Sequence, residues 1–149
     1  MLKAVIIDSS AVARGLLQTV LQDGSYDVVG QAHTCASGTV LLIKHNPQII
    51  CIARDVIEAD IKGVEDMRRN YPKSLMFMVS SEFDADTVQR AHAMGINGFI
   101  VKPFNADTVL KTIRNTVIAM VNRQRKALAD AQAQQQPQPP ATPSAGDEA

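Results

Sequence analysis

Five short apolar runs, bounded by turn-forming residues and separated by stretches of helical period, constrain this chain more than any other feature. The runs are Ala4–Ile7, Asp27–Val29, Ile49–Ile52, Leu75–Val79 and Phe99–Val101. Most are continuously apolar rather than alternating, the pattern of strands covered on both faces of a parallel sheet. Between them, Val12, Leu16 and Val20, with Leu17 and Leu21, form a stripe on one helix face. Val40, Leu41 and Ile43 mark a second helix, stopped at His45-Asn46-Pro47 because proline and its predecessor disfavour continuation. A third runs from about Lys62 to Asn70. A fourth begins near Ser81 and Asp84, which sit at capping-box spacing, and ends at Met94-Gly95. A fifth comes after Asn105, a good N-cap, and carries Val109, Ile113, Val117 and Val121 on one side. Strands alternating with helices in this way predict an α/β domain with right-handed crossovers.

Composition narrows the class. Apolar residues make up 46% of the 149, enough for a packed core, and 15 basic residues balance 15 acidic ones. A net charge of zero argues against a nucleic-acid binder acting through bulk positive potential. No apolar stretch approaches the ~18–20 residues of a membrane span, and MLKAVIIDSS is not a signal peptide. The expectation is a cytoplasmic protein with no membrane or direct nucleic-acid contact. Cys35 and Cys51 form no CxxC pair, so a disulfide framework or structural zinc site is not expected. His33, His45 and His92 share no ligand spacing, and Arg68-Arg69 reads as a solvated helix face.

The chain changes character near its end. Asp130–Ala149 holds four of the seven prolines, five glutamines and no large apolar residue. Such a segment buries too little apolar area to offset the ~1–2 kcal/mol per residue of backbone ordering. Before it, helix-favouring residues run past the sheet-covering part of the last helix without a breaker until Pro137. Leu110, Ile113, Val117, Met120, Gln124 and Leu128 fall near heptad a/d spacing there. The expected division is a domain at 1–122, a helical extension at 123–130 and a disordered Gln/Pro-rich tail at 131–149.

In open parallel sheets ligands bind beyond the carboxyl ends of the strands. Those ends read Ile7-Asp8-Ser9-Ser10, Ile52-Ala53-Arg54-Asp55, Val79-Ser80-Ser81 and Val101-Lys102-Pro103-Phe104. Acids, a hydroxyl and a lysine on one rim suit a phosphoryl group held near a hard cation. A plainer use is an ion pair between Asp8 and Lys102, with Ser81 capping the fourth helix and Phe99 as core.

The segments AVIIDSSAVAR, DVVGQA, NPQIICIA, FMVSS and AMGINGFIVKPF, in this order over roughly residues 1–120, resemble the receiver domains of bacterial two-component response regulators. GINGFIVKPF is the most specific of them. The resemblance implies a flavodoxin-like, doubly wound, five-stranded parallel sheet of order 2-1-3-4-5, helices on both faces, and no enzymatic role beyond phosphorelay signalling. It implies Asp8 as a metal-binding acid, Ser80 and Lys102 as phosphate contacts, and Phe99, Lys102 and Pro103 as switch and interface residues. A Mg²⁺ cofactor would rest on Asp8 and Asp55. Implied partners are a histidine kinase or other signalling protein, with a homodimer through helix four, strand five and helix five as a further arrangement.

Two positions depart from the family pattern. The second acid after strand one is Ser9 here. The phospho-acceptor aspartate ends strand three, six residues after a proline such as Pro47, and that count lands on Ala53; counting back from Gly63 lands on Asp55. An extended strand would set Asp55 on the same side as Ala53, about 6–7 Å further along. The leading expectation is a receiver-type module without an output domain, acting by protein–protein interaction with degenerate phosphorylation chemistry. The alternative is a working phospho-acceptor at Asp55.

Overall fold

The structure, a computed structural model, describes residues 1–135. The chain divides into two units, Met1–Thr116 and the part from Val117 onward. The elements are β1 (Lys3–Ile7), α1 (Ala11–Asp23), β2 (Asp27–Ala32), α2 (Cys35–His45), β3 (Ile49–Ala53) and α3 (Arg54–Ala59). Next come α4 (Ile61–Asn70), β4 (Leu75–Ser80), α5 (Ala85–Ala93), β5 (Gly98–Val101) and α6 (Ala106–Gln135). All five strands join one parallel sheet in the order β2-β1-β3-β4-β5.

Strand pleating divides the core into two layers. Val5, Ile7, Ile50, Ile52, Met76 and Met78 face one side and pack with Cys35 and Leu42 of α2, Val64 and Met67 of α4, and Ala91 of α5. Their neighbours Ala4, Ile6, Ile49, Cys51, Phe77 and Ile100 point the other way and are equally buried, as are Leu17 and Leu21 of α1 and Val109 and Ile113 of α6. Gly38 lets α2 close on β1, since a Cβ there would meet the Ile7 side chain at 2.3 Å.

Several expectations change. The apolar stripe of α1 is split: Leu17, Leu21 and Ala13 are buried, whereas Val12 and Leu16 stay 73% and 56% exposed. In α2, Leu42 is buried and Val40 and Ile43 are exposed. Both helices carry apolar residues over more of their circumference than the sheet can cover. Asp84, not Ser81, caps α5, accepting from the Thr87 amide, because the helix opens only at Ala85. A short extra helix, α3, forms where a loop was expected. The last helix reaches Gln135, entering the stretch expected to be a disordered tail; the remainder of that stretch lies outside the described residues.

Arg68 corrects a second surface reading. Its guanidinium donates to the carbonyls of Tyr71 and Ser74 at 2.5 and 2.6 Å, to that of Gly95 at 3.0 Å, and to Asn97 Oδ1 at 3.1 Å. It therefore ties the end of α4 to the entry of β4 and to the α5–β5 turn, where Gly95 holds φ +92°. Arg69 alone is on a solvated face. Both cysteines are free and buried. Burial pushes the Cys51 thiol up to about 12, and burial followed by the neighbouring Asp60 carboxylate pushes Cys35 up to about 11, so neither is a thiolate at neutral pH.

Candidate functional site

The carboxyl ends of β1, β3, β4 and β5 meet along one rim. β1 delivers Asp8, whose amide still joins the sheet by donating to Ala32 O at 2.9 Å. Asp8 is 4% exposed. One of its carboxylate oxygens accepts from the Ser10 amide at 2.9 Å, and the other lies 2.8 Å from Lys102 Nζ. β5 delivers Lys102, whose amide donates to Ser80 O at 2.9 Å and so sets Ser80 beside it. Ser80 Oγ donates to the Glu82 carbonyl at 2.9 Å and accepts from the Glu82 amide at 3.2 Å, which folds the start of the β4–α5 loop back on the strand end.

β3 ends at Ala53, 1% exposed, and there the chain turns into α3. Asp55 consequently does not continue an extended strand. It sits in the first turn of α3, exposed to solvent, where its carboxylate accepts from Ser9 Oγ at 2.5 Å. The helix is supported by Arg54, which donates to Glu58 at 3.0 Å, four residues on, and reaches across to the Glu82 carbonyl at 3.3 Å. Sequence reasoning missed Arg54, although its i,i+4 spacing to Glu58 was visible there. A cleft of about 280 Å³ opens over this rim, lined by Arg54, Asp55, Glu58, Ser80, Ser81 and Lys102.

Two rim ion pairs are closed within the protein, Asp8 with Lys102 and Arg54 with Glu58, while Asp55 keeps its charge and accepts only a hydroxyl hydrogen bond. Among the described residues no three His, Cys, Asp or Glu side chains come together to hold a metal ion.

Further along β5, Phe99 is half-buried. Its ring meets Phe83 edge-on at 5.1 Å and His92 at 5.3 Å. Phe99, Val101, Pro103, Asn105 and Val109 line a mostly apolar groove of about 290 Å³ beside β5.

A five-stranded parallel sheet in this order, with an acid and a lysine joined at its carboxyl rim, is the architecture of receivers. The chain belongs to the response regulator receiver domain family, whose sequence profile matches residues 4–114. It is a CheY-like receiver of two-component signalling. Chemotaxis protein CheY of Bacillus subtilis is 27% identical over 116 residues, covering 77% of this chain and 97% of that protein. The solved structure of chemotaxis response regulator CheY4 of Vibrio cholerae superposes with a TM-score of 0.70 at 26% identity, over 78% of this chain and 98% of that one. A protein-glutamate methylesterase/protein-glutamine glutaminase of Haloarcula marismortui is 26% identical, over 80% of this chain but only 33% of its own length.

Proposed function

We propose that this protein is a receiver-type signalling module that works by binding partner proteins and has lost the phosphorylation chemistry of its family. The observation that carries this reading is Ala53: the strand-three terminus, where the family resemblance implies the acceptor aspartate, presents a buried methyl group. A methyl cannot be a nucleophile. Asp55 is the nearest replacement, but α3 displaces it from the strand end and Ser9 binds it.

The donor set does not fit the Mg²⁺ that receivers use. The family pattern has three acids at the rim; here Ser9 and Ala53 replace two of them, and the remaining one, Asp8, is already offset by an ammonium at 2.8 Å. A hard divalent cation needs several carboxylates converging on one point, and among the described residues Asp8 and Asp55 are not joined by a third ligand of that kind.

Partner binding is then carried by surface rather than by phosphoryl transfer. The groove beside Phe99 and Pro103, formed by β5 and the start of α6, is a mostly apolar depression on that side of the sheet. Partners docking there include a histidine kinase or other signalling protein.

Incubation with acetyl phosphate and Mg²⁺ tests this. The intact mass is expected to stay unchanged, and beryllofluoride with Mg²⁺ to leave the amide NMR spectrum as it was. Gain of one phosphoryl group, abolished by Asp55→Ala, overturns the reading and establishes Asp55 as a working acceptor.

A further inference from the structure

We propose that two copies of this chain pair, parallel and in register, along α6 from Val117 to Leu128. The pairing is independent of whether the rim can be phosphorylated.

The heptad spacing expected from sequence ran through Leu110 and Ile113, but Ile113 is fully buried in the first unit, so a seam cannot begin there. Residues 121–134 are exposed throughout, and Val121 and Leu128 present 37% and 63% of their surface. Among the described residues, no side-chain hydrogen bond or ion pair joins any two residues of 117–134. Helical stability in proteins comes mainly from packing an amphipathic face, and among the described residues this length shows no buried side chain.

The residues are placed as a second copy needs them. Val117, Val121, Gln124 and Leu128 succeed one another at spacings of four, three and four, which is an alternating seam on one helix face. Met120 and Ile118 flank it. Arg123, Lys126 and Asp130 fall on the outer faces, leaving the seam itself uncharged, so two copies meet without opposing like charges. A parallel pair sets valine on valine, leucine on leucine, and the Gln124 amide against its own counterpart, where donor and acceptor are both satisfied. An antiparallel pair sets that amide against Val121 instead, leaving it unpaired in an apolar contact. A single polar seam residue of this kind fixes register at a cost in stability. The seam is only about 17 Å long at 1.5 Å per residue, so the pair is weak and concentration-dependent.

Cysteine cross-linking of the full chain tests the register, because Cys35 and Cys51 are buried and do not compete. Under mild oxidation at high protein concentration, Gln124→Cys is expected to form a disulfide-linked dimer at least ten times faster than Lys126→Cys on the outer face. Val121→Glu combined with Leu128→Glu is expected to shift the light-scattering mass of the full chain to that of a monomer at concentrations where the unaltered chain associates. Its near-UV and far-UV dichroism should still report a folded first unit. Equal rates for the two cysteine variants, or one monomeric mass for both chains at every concentration, overturn the proposal. So does preferential cross-linking of a Val117→Cys chain to a Leu128→Cys chain, which marks an antiparallel pair.

Discussion

Arg68→Ala lowers the stability of the first unit by about 2–4 kcal/mol, which for a domain of this size moves the thermal midpoint by roughly 10 °C. The guanidinium donates four hydrogen bonds to three carbonyls and one side-chain amide oxygen. No carboxylate lies within ion-pair distance of it among the described residues. Its contribution is therefore hydrogen bonding to backbone rather than charge pairing, and burial pulls its pKa below the usual range for arginine. Water can resolvate part of what is uncovered, which keeps the loss below the sum of four charge-assisted bonds. Arg68→Lys should recover little, because one ammonium cannot span acceptors on three separate segments. Denaturant unfolding of both variants checks this. A lysine variant as stable as the unaltered chain would show that charge alone matters.

Lys102→Ala gives the second large effect, about 1–3 kcal/mol, by leaving the Asp8 carboxylate nearly buried with only the Ser10 amide for company. The lower part of that range reflects the 28% exposure of the Lys102 side chain, which lets water screen the pair. Asp8→Asn in the Lys102→Met background should restore most of the loss, since no charge is then stranded. A double-mutant cycle built from urea midpoints yields the coupling between the two residues. Coupling within about ±0.3 kcal/mol of zero would show the pair to be incidental.

Much of the fold was legible because burial on both faces leaves a simple trace. Runs such as IICIA and LMFMVS have no polar side to hide, and their order with the intervening helices fixes a parallel sheet. The rim was legible in the same way, since strand ends are where Asp8, Ser80 and Lys102 fell. The features that escaped depended on where backbone hydrogen bonds stop. α3 begins one residue after β3, and that single change moves Asp55 from strand alternation to a helical turn. Arg68 and Arg69 look alike in sequence, and only the arrival of the Tyr71, Ser74 and Gly95 carbonyls separates a clamp from a solvated side chain. Val12, Leu16, Val40 and Ile43 mislead for another reason: periodicity marks an apolar face but does not say whether the sheet reaches it.

The strand order also ranks the elements by when they form. β1 is synthesised first yet lies between β2 and β3, and both of its partners are complete by Ala53. β1 is hydrogen-bonded on both sides, to β2 and to β3, so these three strands form the natural nucleus. β5 joins last, through four residues along a single edge. The same edge is the cheapest to open, so amide exchange at Gly98–Val101 should outrun exchange at Ile49–Ala53, where release waits for global unfolding. Phe99 lies on that edge and Lys102 directly succeeds it, so the apolar groove and half of the rim ion pair are carried by the most loosely held strand of the sheet.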